Sequence, residues 1–479
     1  RLAGPVANDE QATISEVDKK IKTALKSAKK VVLVSNTVIS PSTLRSIAEL
    51  GASINGEQAD KFEHIQYDAV SYAGMRAANK ATFGVTINSE DSSSDGIIPH
   101  YDFSKAKTIV SVGADFMTSW LMPTLFTTQY AQRRNPDNDW MSKHFQFESI
   151  LSVTGSNADY RGMIKPSEEA NVLAYLLEKF GKSTGGVSTE LNASAKKAAD
   201  HAYKALKTTK GHALVICGSN NSATQMLANS LNNELESYGS TIDLNNPINL
   251  YKSEDKKMAA FVKDVEDGTG PDAIILYGTN PVYSLANGIK FAAGLKNTKT
   301  TISLASHHDE TSSNCTYIVP DHHALEGWND FQVTKAHSAL AQPTIRPLHN
   351  TVSALESFLV WAGKAKRQGK DSKVAYEFIK QNWVQYGFSD QTKYTDSETY
   401  WNMMVHNSCG DDMSTIENTE VSFDSSAIVN LDVKVQKSDM INVDLSPTQK
   451  KYLRPKKFSN IIINMDNDFN HLEGDNLSY

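Results

Sequence analysis

The sequence predicts an α/β protein made of two doubly wound lobes, followed by a helical part and an extended tail. Three observations carry that expectation. Short runs such as Val31–Val34, Thr108–Val112, Ala213–Cys217 and Ala273–Tyr277 are almost continuously apolar, as strands buried on both faces must be. Amphipathic segments at helical spacing lie between them, as parallel strands require. The runs end in polar or glycine turns, for example Gly113-Ala114-Asp115 and Gly278-Thr279-Asn280-Pro281. Such turns at the carboxyl ends of strands are where open α/β sheets of the Rossmann-like kind bind ligands.

In chain order, Ile14–Ala28 has apolar residues at helical spacing, with Ser15 as candidate cap and Lys26, Lys29 and Lys30 at its end, the sign the helix dipole favours there. Val31–Val34 then reads as a strand, Ser42–Leu50 as a helix opened by Pro41, Glu63–Ala69 as a strand and Val70–Lys80 as a helix. Asn88–Gly96 is a Ser/Asp-rich loop. Thr108–Val112 and Phe145–Val153 read as strands, with Trp120–Trp140 between them as a surface excursion. Helices are expected from Pro166 to Phe180 and over Asn192–Leu206, separated by the linker Gly181–Gly186. Ala213–Cys217, Ala223–Leu235 and Met258–Val265 continue as strand, helix, helix. Then come the strand Ala273–Tyr277, an amphipathic segment Ser284–Leu295 and the apolar runs Thr300–Ala305 and Thr316–Val319. No alternating hairpin pattern is evident. Val352–Lys364, Val374–Tyr386 and Glu398–His406 read as helices. The expected division is a first lobe of residues 1–164 and 296–409, a second lobe of residues 165–295 inserted into it, and an arm, 410–479, whose apolar islands (Ala427–Val435, Ile461–Met465) suit wrapping a neighbour.

At 479 residues the chain exceeds what one core supports and suggests roughly two to four domains. A net charge of −7 and the lack of a basic cluster with interleaved aromatics argue against nucleic acid as partner. No run reaches the roughly 20 apolar residues of a membrane span. Cys217, Cys315 and Cys409 form no CxxC pair, so this chain alone offers neither an iron–sulfur nor a cysteine zinc site. The start at Arg1, without methionine or signal peptide, reads as a mature or trimmed piece.

The candidate chemistry lies in three places. Gly113 and Asp115 follow a strand and permit close approach of an anion, though a glycine there also serves as a plain turn. Gly278 and Asn280, with Glu310 in the polar burst His307-His308-Asp309-Glu310-Thr311, form a second backbone-exposing turn; Asn280-Pro281 as an ordinary helix start is the competing reading. His308 and His322, one from each His-His pair, are the weak metal candidates, with hydrogen-bonded loop histidines as the bland alternative. Glu310 and Glu326 read as loop-locking carboxylates rather than an acid–base pair, and Trp328 as a packing or interface residue. GxGxxG, GxxxxGK[ST] and GxSxG are absent, which removes the strong nucleotide and serine-hydrolase signatures.

The stretches DFSKAKTIVSVGADF from Asp102, MSKHFQFESILSVTGSNADYR from Met141 and IVPDHHALEGWNDFQVTKAHSALAQPTIRPLHNT from Ile318 resemble the molybdopterin-oxidoreductase-like half of the ActB-type iron–sulfur subunits of bacterial alternative complex III. Those subunits fall within the complex iron–sulfur molybdoenzyme family. The wider pattern stands here as Glu310-Thr311, Cys315–Pro320, Glu326 and Trp328, and the resemblance runs over about residues 1–408. The family's β-rich cap, ferredoxin-like part and leading segment are not recognisable, so the resemblance implies a fragment or a reduced relative. It also implies a subunit without catalytic residues or cofactor of its own, in which Gly278, Asn280, Gly113, Asp115 and Glu310 are vestigial. Iron–sulfur clusters and c-type haems are expected elsewhere in the complex. Multihaem cytochrome and quinol-binding membrane subunits are the expected partners, at the periplasmic face of the inner membrane. The alternative is a cofactor-bearing molybdopterin oxidoreductase subunit.

Overall fold

A computed structural model describes residues 1–56, 60–84, 96–389, 391–410, 422–429 and 431. The fold is α/β throughout, as expected, but the chain divides elsewhere than at 164/165 and 295/296. Among the described residues one compact unit holds 1–72 and 248–410, and the other holds 73–247, 422–429 and 431. Strand pairing gives the reason. Ala273–Tyr277, expected in the inserted lobe, lies in register beside Val31–Ser35. Thr108–Val112, expected in the first lobe, lies beside Ala213–Cys217. An apolar run announces a strand without naming its neighbour.

The sheet of the first unit has seven strands, in the order Glu10–Gln11, Val6–Ala7, Tyr317–Ile318, Thr300–Ser303, Ala273–Tyr277, Val31–Ser35, Phe62–Gln66. From Tyr317–Ile318 to Phe62–Gln66 every pair is parallel. Val31–Ser35 is wholly buried, which explains its unbroken apolarity up to Ser35. The helix Ile14–Ser27 buries Val17, Ile21 and Leu25 on this sheet. Its cap is Thr13 rather than Ser15, and the capping box with Glu16 is complete. The helix Pro41–Asn55 starts at Ser40, whose hydroxyl accepts from Thr43 N–H at 2.9 Å.

A hairpin, Asn329–Thr334 with His337–Ala341, departs from the expectation of none; its alternation is broken by a register shift between Gln332 and Thr334. Its Asp330, 1% exposed, ties the unit together. The carboxylate accepts from the hydroxyls of Ser40 (2.5 Å) and Ser42 (2.6 Å), from Ser42 N–H (3.3 Å) and from Trp383 Nε1 (3.0 Å). A buried anion at the start of the helix Pro41–Asn55 satisfies donors the helix cannot.

The second unit has a four-stranded parallel sheet in the order Tyr160–Met163, Lys143–Glu148, Thr108–Val112, Ala213–Cys217. Its core joins Phe145 and Phe147 to Leu173, Leu176, Leu227 and Leu231. The strand expected over Phe145–Val153 is Lys143–Glu148 followed by the short helix Val153–Ser156, because Ser152 caps a turn there. Trp120–Trp140 is not a surface excursion: Pro123–Gln132 is helical, with Trp120, Phe126 and Tyr130 buried. The Asn88–Gly96 loop lies outside the described residues up to 95. So does most of the expected arm, 411–421, 430 and 432–479, including Ile461–Met465. Of the rest, Ile428 packs into the second unit's core.

Replacing Asp330 by Ala leaves two serine hydroxyls and an indole N–H buried without an acceptor. We expect a loss of about 2–4 kcal/mol in urea unfolding of the first unit, with Asp330→Asn intermediate.

Candidate functional site

Each of the two sheets described above, of seven and of four strands, has one place where strand order reverses. In the first unit, Val31–Ser35 is followed by Phe62–Gln66 on one side and by Ala273–Tyr277 on the other. In the second, Thr108–Val112 is followed by Lys143–Glu148 on one side and by Ala213–Cys217 on the other. Loops leaving the carboxyl ends of the central pair part there and open a crevice, the usual ligand site of such sheets. Register makes the two places alike. Ser35 pairs with Tyr277 and Val112 with Cys217, so Asn36 and Gly278, and Gly113 and Gly218, are the first residues beyond the sheet.

In the first unit Gly278 has φ +63°, and a side chain there would meet the Asn36 amide. Asn280 is engaged on both sides of its amide. Its Nδ2 donates to Glu310 Oε2 at 2.7 Å, and its Oδ1 accepts from Thr311 N–H at 3.2 Å and the Thr311 hydroxyl at 2.5 Å. Val282 N–H donates to Thr311 Oγ1 at 3.0 Å. The hydrogen bond from Asn280 is the main cause that holds the exposed Glu310 carboxyl below its ordinary range. The structure therefore brings Gly278, Asn280 and Glu310 together as one locked pair of loops within a single unit.

The other loop at this crevice was not singled out from the sequence. Thr37 donates to Asp68 through its N–H (2.9 Å) and its hydroxyl (2.5 Å), and Val38 N–H donates to Gln66 Oε1 at 2.8 Å. Lys252 N–H in turn donates to Thr37 Oγ1 at 2.7 Å. The N–H groups of Thr37 and Val38 are thus taken by the chain's own oxygens rather than left for a phosphate. The available signal was positional: Asn36-Thr37 and Asp68 directly follow strand ends.

Asp321 closes the same edge. Its Oδ1 accepts from His322 N–H and from Ala354 N–H at the start of the helix Ala354–Trp361, both at 2.8 Å. Burial pushes its carboxyl up to about 7, against the pull of those two donors. The half-buried Tyr277 phenol is also pushed up, first by desolvation and then by Asp321. His322 Nδ1 lies 2.7 Å from Thr351 Oγ1, and burial lowers its pKa. His308 is exposed. No group of three or more His, Cys, Asp or Glu is placed to hold a metal ion among the described residues. Glu326 locks loops: it accepts both arms of Arg1 (2.7 and 2.6 Å), His323 N–H (3.0 Å) and Leu348 N–H (3.1 Å).

In the second unit Gly113 has φ +65° and lies under the Glu169 carboxylate, and a side chain at Gly218 would run into the Gly113 carbonyl. Asp115 is turned to its own loop, accepting from Thr154 through its hydroxyl (2.5 Å) and N–H (3.4 Å) and from the Thr118 hydroxyl. Glu148 accepts from Arg161 Nε (2.6 Å) and from the Ser152 hydroxyl (2.6 Å).

Two doubly wound units with crevices of this form define a class, and comparison with known proteins narrows it. No protein-family model matches the chain. Over 307 residues it is 24% identical to a protein of Nitratidesulfovibrio vulgaris named menaquinone reductase, molybdopterin-binding-like subunit. That match covers 55% of this chain and 44% of the relative, so the chain spans less than half of that subunit's length. Among solved structures, acetylene hydratase from Pelobacter acetylenicus shares the fold with a TM-score of 0.51 at 12% identity, over 76% of this chain and 62% of that one. The fold is molybdopterin-oxidoreductase-like, and the sequence likeness supports a molybdopterin-oxidoreductase-like family. The loops described above fit a pterin dinucleotide poorly. Asp68 and Gln66 hold the N–H groups of Thr37 and Val38, and Asn280 holds that of Thr311, which leaves these three groups taken.

Asp321 sets a pH dependence. Its folded pKa lies above its unfolded one, so the folded state binds the extra proton between about pH 4 and 7, and stability falls as pH rises through that window. Asp321→Asn keeps the acceptor and removes the charge. We expect the variant to match the parent near pH 4 and to be more stable at pH 8 by about 2–4 kcal/mol in denaturant titrations.

Proposed function

We propose that this chain is a non-catalytic scaffold region of a quinol-oxidising respiratory membrane complex of the alternative complex III type. It carries no cofactor of its own. Its task is to hold iron–sulfur and haem carriers of other parts of the complex in register, for electron transfer from quinol to a cytochrome or a terminal oxidase. Multihaem cytochrome and quinol-binding membrane subunits are its partners, and it sits as a peripheral subunit on the periplasmic face of the inner membrane. One observation carries this reading: at the first unit's crevice the N–H groups of Thr37, Val38 and Thr311 are satisfied internally, by Asp68, Gln66 and Asn280. The relative's name, a molybdopterin-binding-like subunit of a menaquinone reductase, supports a quinone-linked membrane complex. Among the described residues no helix is long and apolar enough to cross a membrane, which suits a peripheral position.

The same fold and the same relative also support a second reading, a subunit that binds a molybdopterin cofactor. Metal analysis of the complex purified from its native membrane separates the two. The scaffold reading expects iron and haem in the complex but neither molybdenum nor tungsten. One atom of either per copy of this chain establishes the second reading. Recovery of the chain free of any haem-bearing partner contradicts the scaffold.

A further inference from the structure

The loop that follows the strand Lys143–Glu148 presents aliphatic side chains to solvent. Ile150 is 75% exposed, Leu151 66% and Val153 52%, and Met163, at the end of the adjacent strand, is 60% exposed. Residues 149–158 carry no charge. The loop is held from below and cannot fold its apolar residues inward. Ser152 donates to Glu148 through its hydroxyl (2.6 Å) and N–H (3.3 Å), Gly155 N–H donates to Ser152 Oγ (2.9 Å), and Thr154 is fixed by Asp115.

A lysine-bearing helix begins beside this loop. Asn192, the N-cap of Ala193–Thr208, donates through Nδ2 to the Met163 carbonyl at 2.8 Å. The helix exposes Lys196, Lys197, Lys204 and Lys207. Its single acidic residue, Asp200, is engaged by the Tyr175 hydroxyl (2.7 Å) and Lys179 (3.4 Å). Of the nearby carboxylates, Glu148 is buried, Glu168 accepts from Lys165 N–H at 3.0 Å, Glu169 lies over Gly113 and Asp159 pairs with Arg134 at 2.8 Å, while Glu190 is exposed.

We propose that this edge of the second unit docks on an anionic lipid surface. The aliphatic loop enters the headgroup boundary while Lys196 and Lys197, in the first turns of the helix beside it, face the lipid phosphates. Aliphatic residues and lysines together suit this occupant. Protein interfaces draw on aromatic residues and arginine and are depleted in lysine. Peripheral membrane contact needs an apolar insertion and a basic patch acting together. The inference uses residues of the second unit alone and does not depend on the scaffold reading.

The test is co-sedimentation of the full chain with vesicles of phosphatidylcholine alone and of phosphatidylcholine mixed with phosphatidylglycerol. Binding is expected only to the mixed vesicles and is expected to weaken as salt is raised. Ile150→Ser with Leu151→Ser should bind about tenfold more weakly or worse, both sites being too exposed to affect folding. Lys196→Gln with Lys197→Gln should lose the preference for phosphatidylglycerol. Equal binding to both vesicles, no binding to either, or variants that bind like the parent overturns the proposal. So does a parent dimer, seen by sedimentation, that the loop variant abolishes, because the apolar loop then joins two copies of the chain.

Discussion

Backbone donors at the reversal point of a parallel sheet must find acceptors, and the identity of those acceptors decides what the fold can do. Two strands that end side by side and send their loops apart leave N–H groups facing a crevice. In a cofactor-binding protein of this fold class a phosphate can complete them. In the first unit here, Asp68 completes Thr37, Gln66 completes Val38 and Asn280 completes Thr311. A polar group left unpaired away from water is costly, so these contacts hold the loops in place.

The same solution recurs along that edge. Asp330 sits at the start of the helix Pro41–Asn55, and Asp321 at the start of Ala354–Trp361. Helix starts attract anions, and a side-chain carboxyl built into the fold supplies an acceptor there. Asp321 shows the cost: held by two donors, it is still pushed up to about 7 by its burial. Glu326 shows the opposite outcome, its carboxyl held well below the usual range, chiefly by Arg1. Loops tied in this way make a stiff frame at this edge of the sheet.

Much of the fold was legible in the sequence because burial on both faces leaves an unbroken apolar run. Val31–Ser35, Thr108–Val112, Ala213–Cys217 and Ala273–Tyr277 all follow that rule. What was not legible was pairing. The neighbour of Ala273–Tyr277 is a strand some 240 residues earlier, fixed by the register of Ala273 with Val31, and no local pattern encodes it. Tyr160–Met163 and the hairpin at Asn329 were missed because only some of their residues are buried, which breaks both the apolar run and the alternation. The candidate site was half legible. Gly278, Asn280 and Glu310 were recognisable as turn and loop residues, and the structure joins them. Asp68, Gln66 and Asp321 drew no attention because a carboxylate or amide in a loop looks like any solvated residue until its acceptor role is seen.

In the first unit's crevice the N–H groups of Thr37, Val38 and Thr311 are held by the chain's own side chains rather than left to a phosphate. Hydrogen–deuterium exchange of the full chain, with and without saturating inorganic pyrophosphate, tests it directly. Slow exchange is expected at Thr37, Val38 and Thr311 in the free chain, with no change on adding pyrophosphate. Fast exchange at these amides in the free chain, with strong protection by pyrophosphate, would contradict it and make the crevice a working phosphate site.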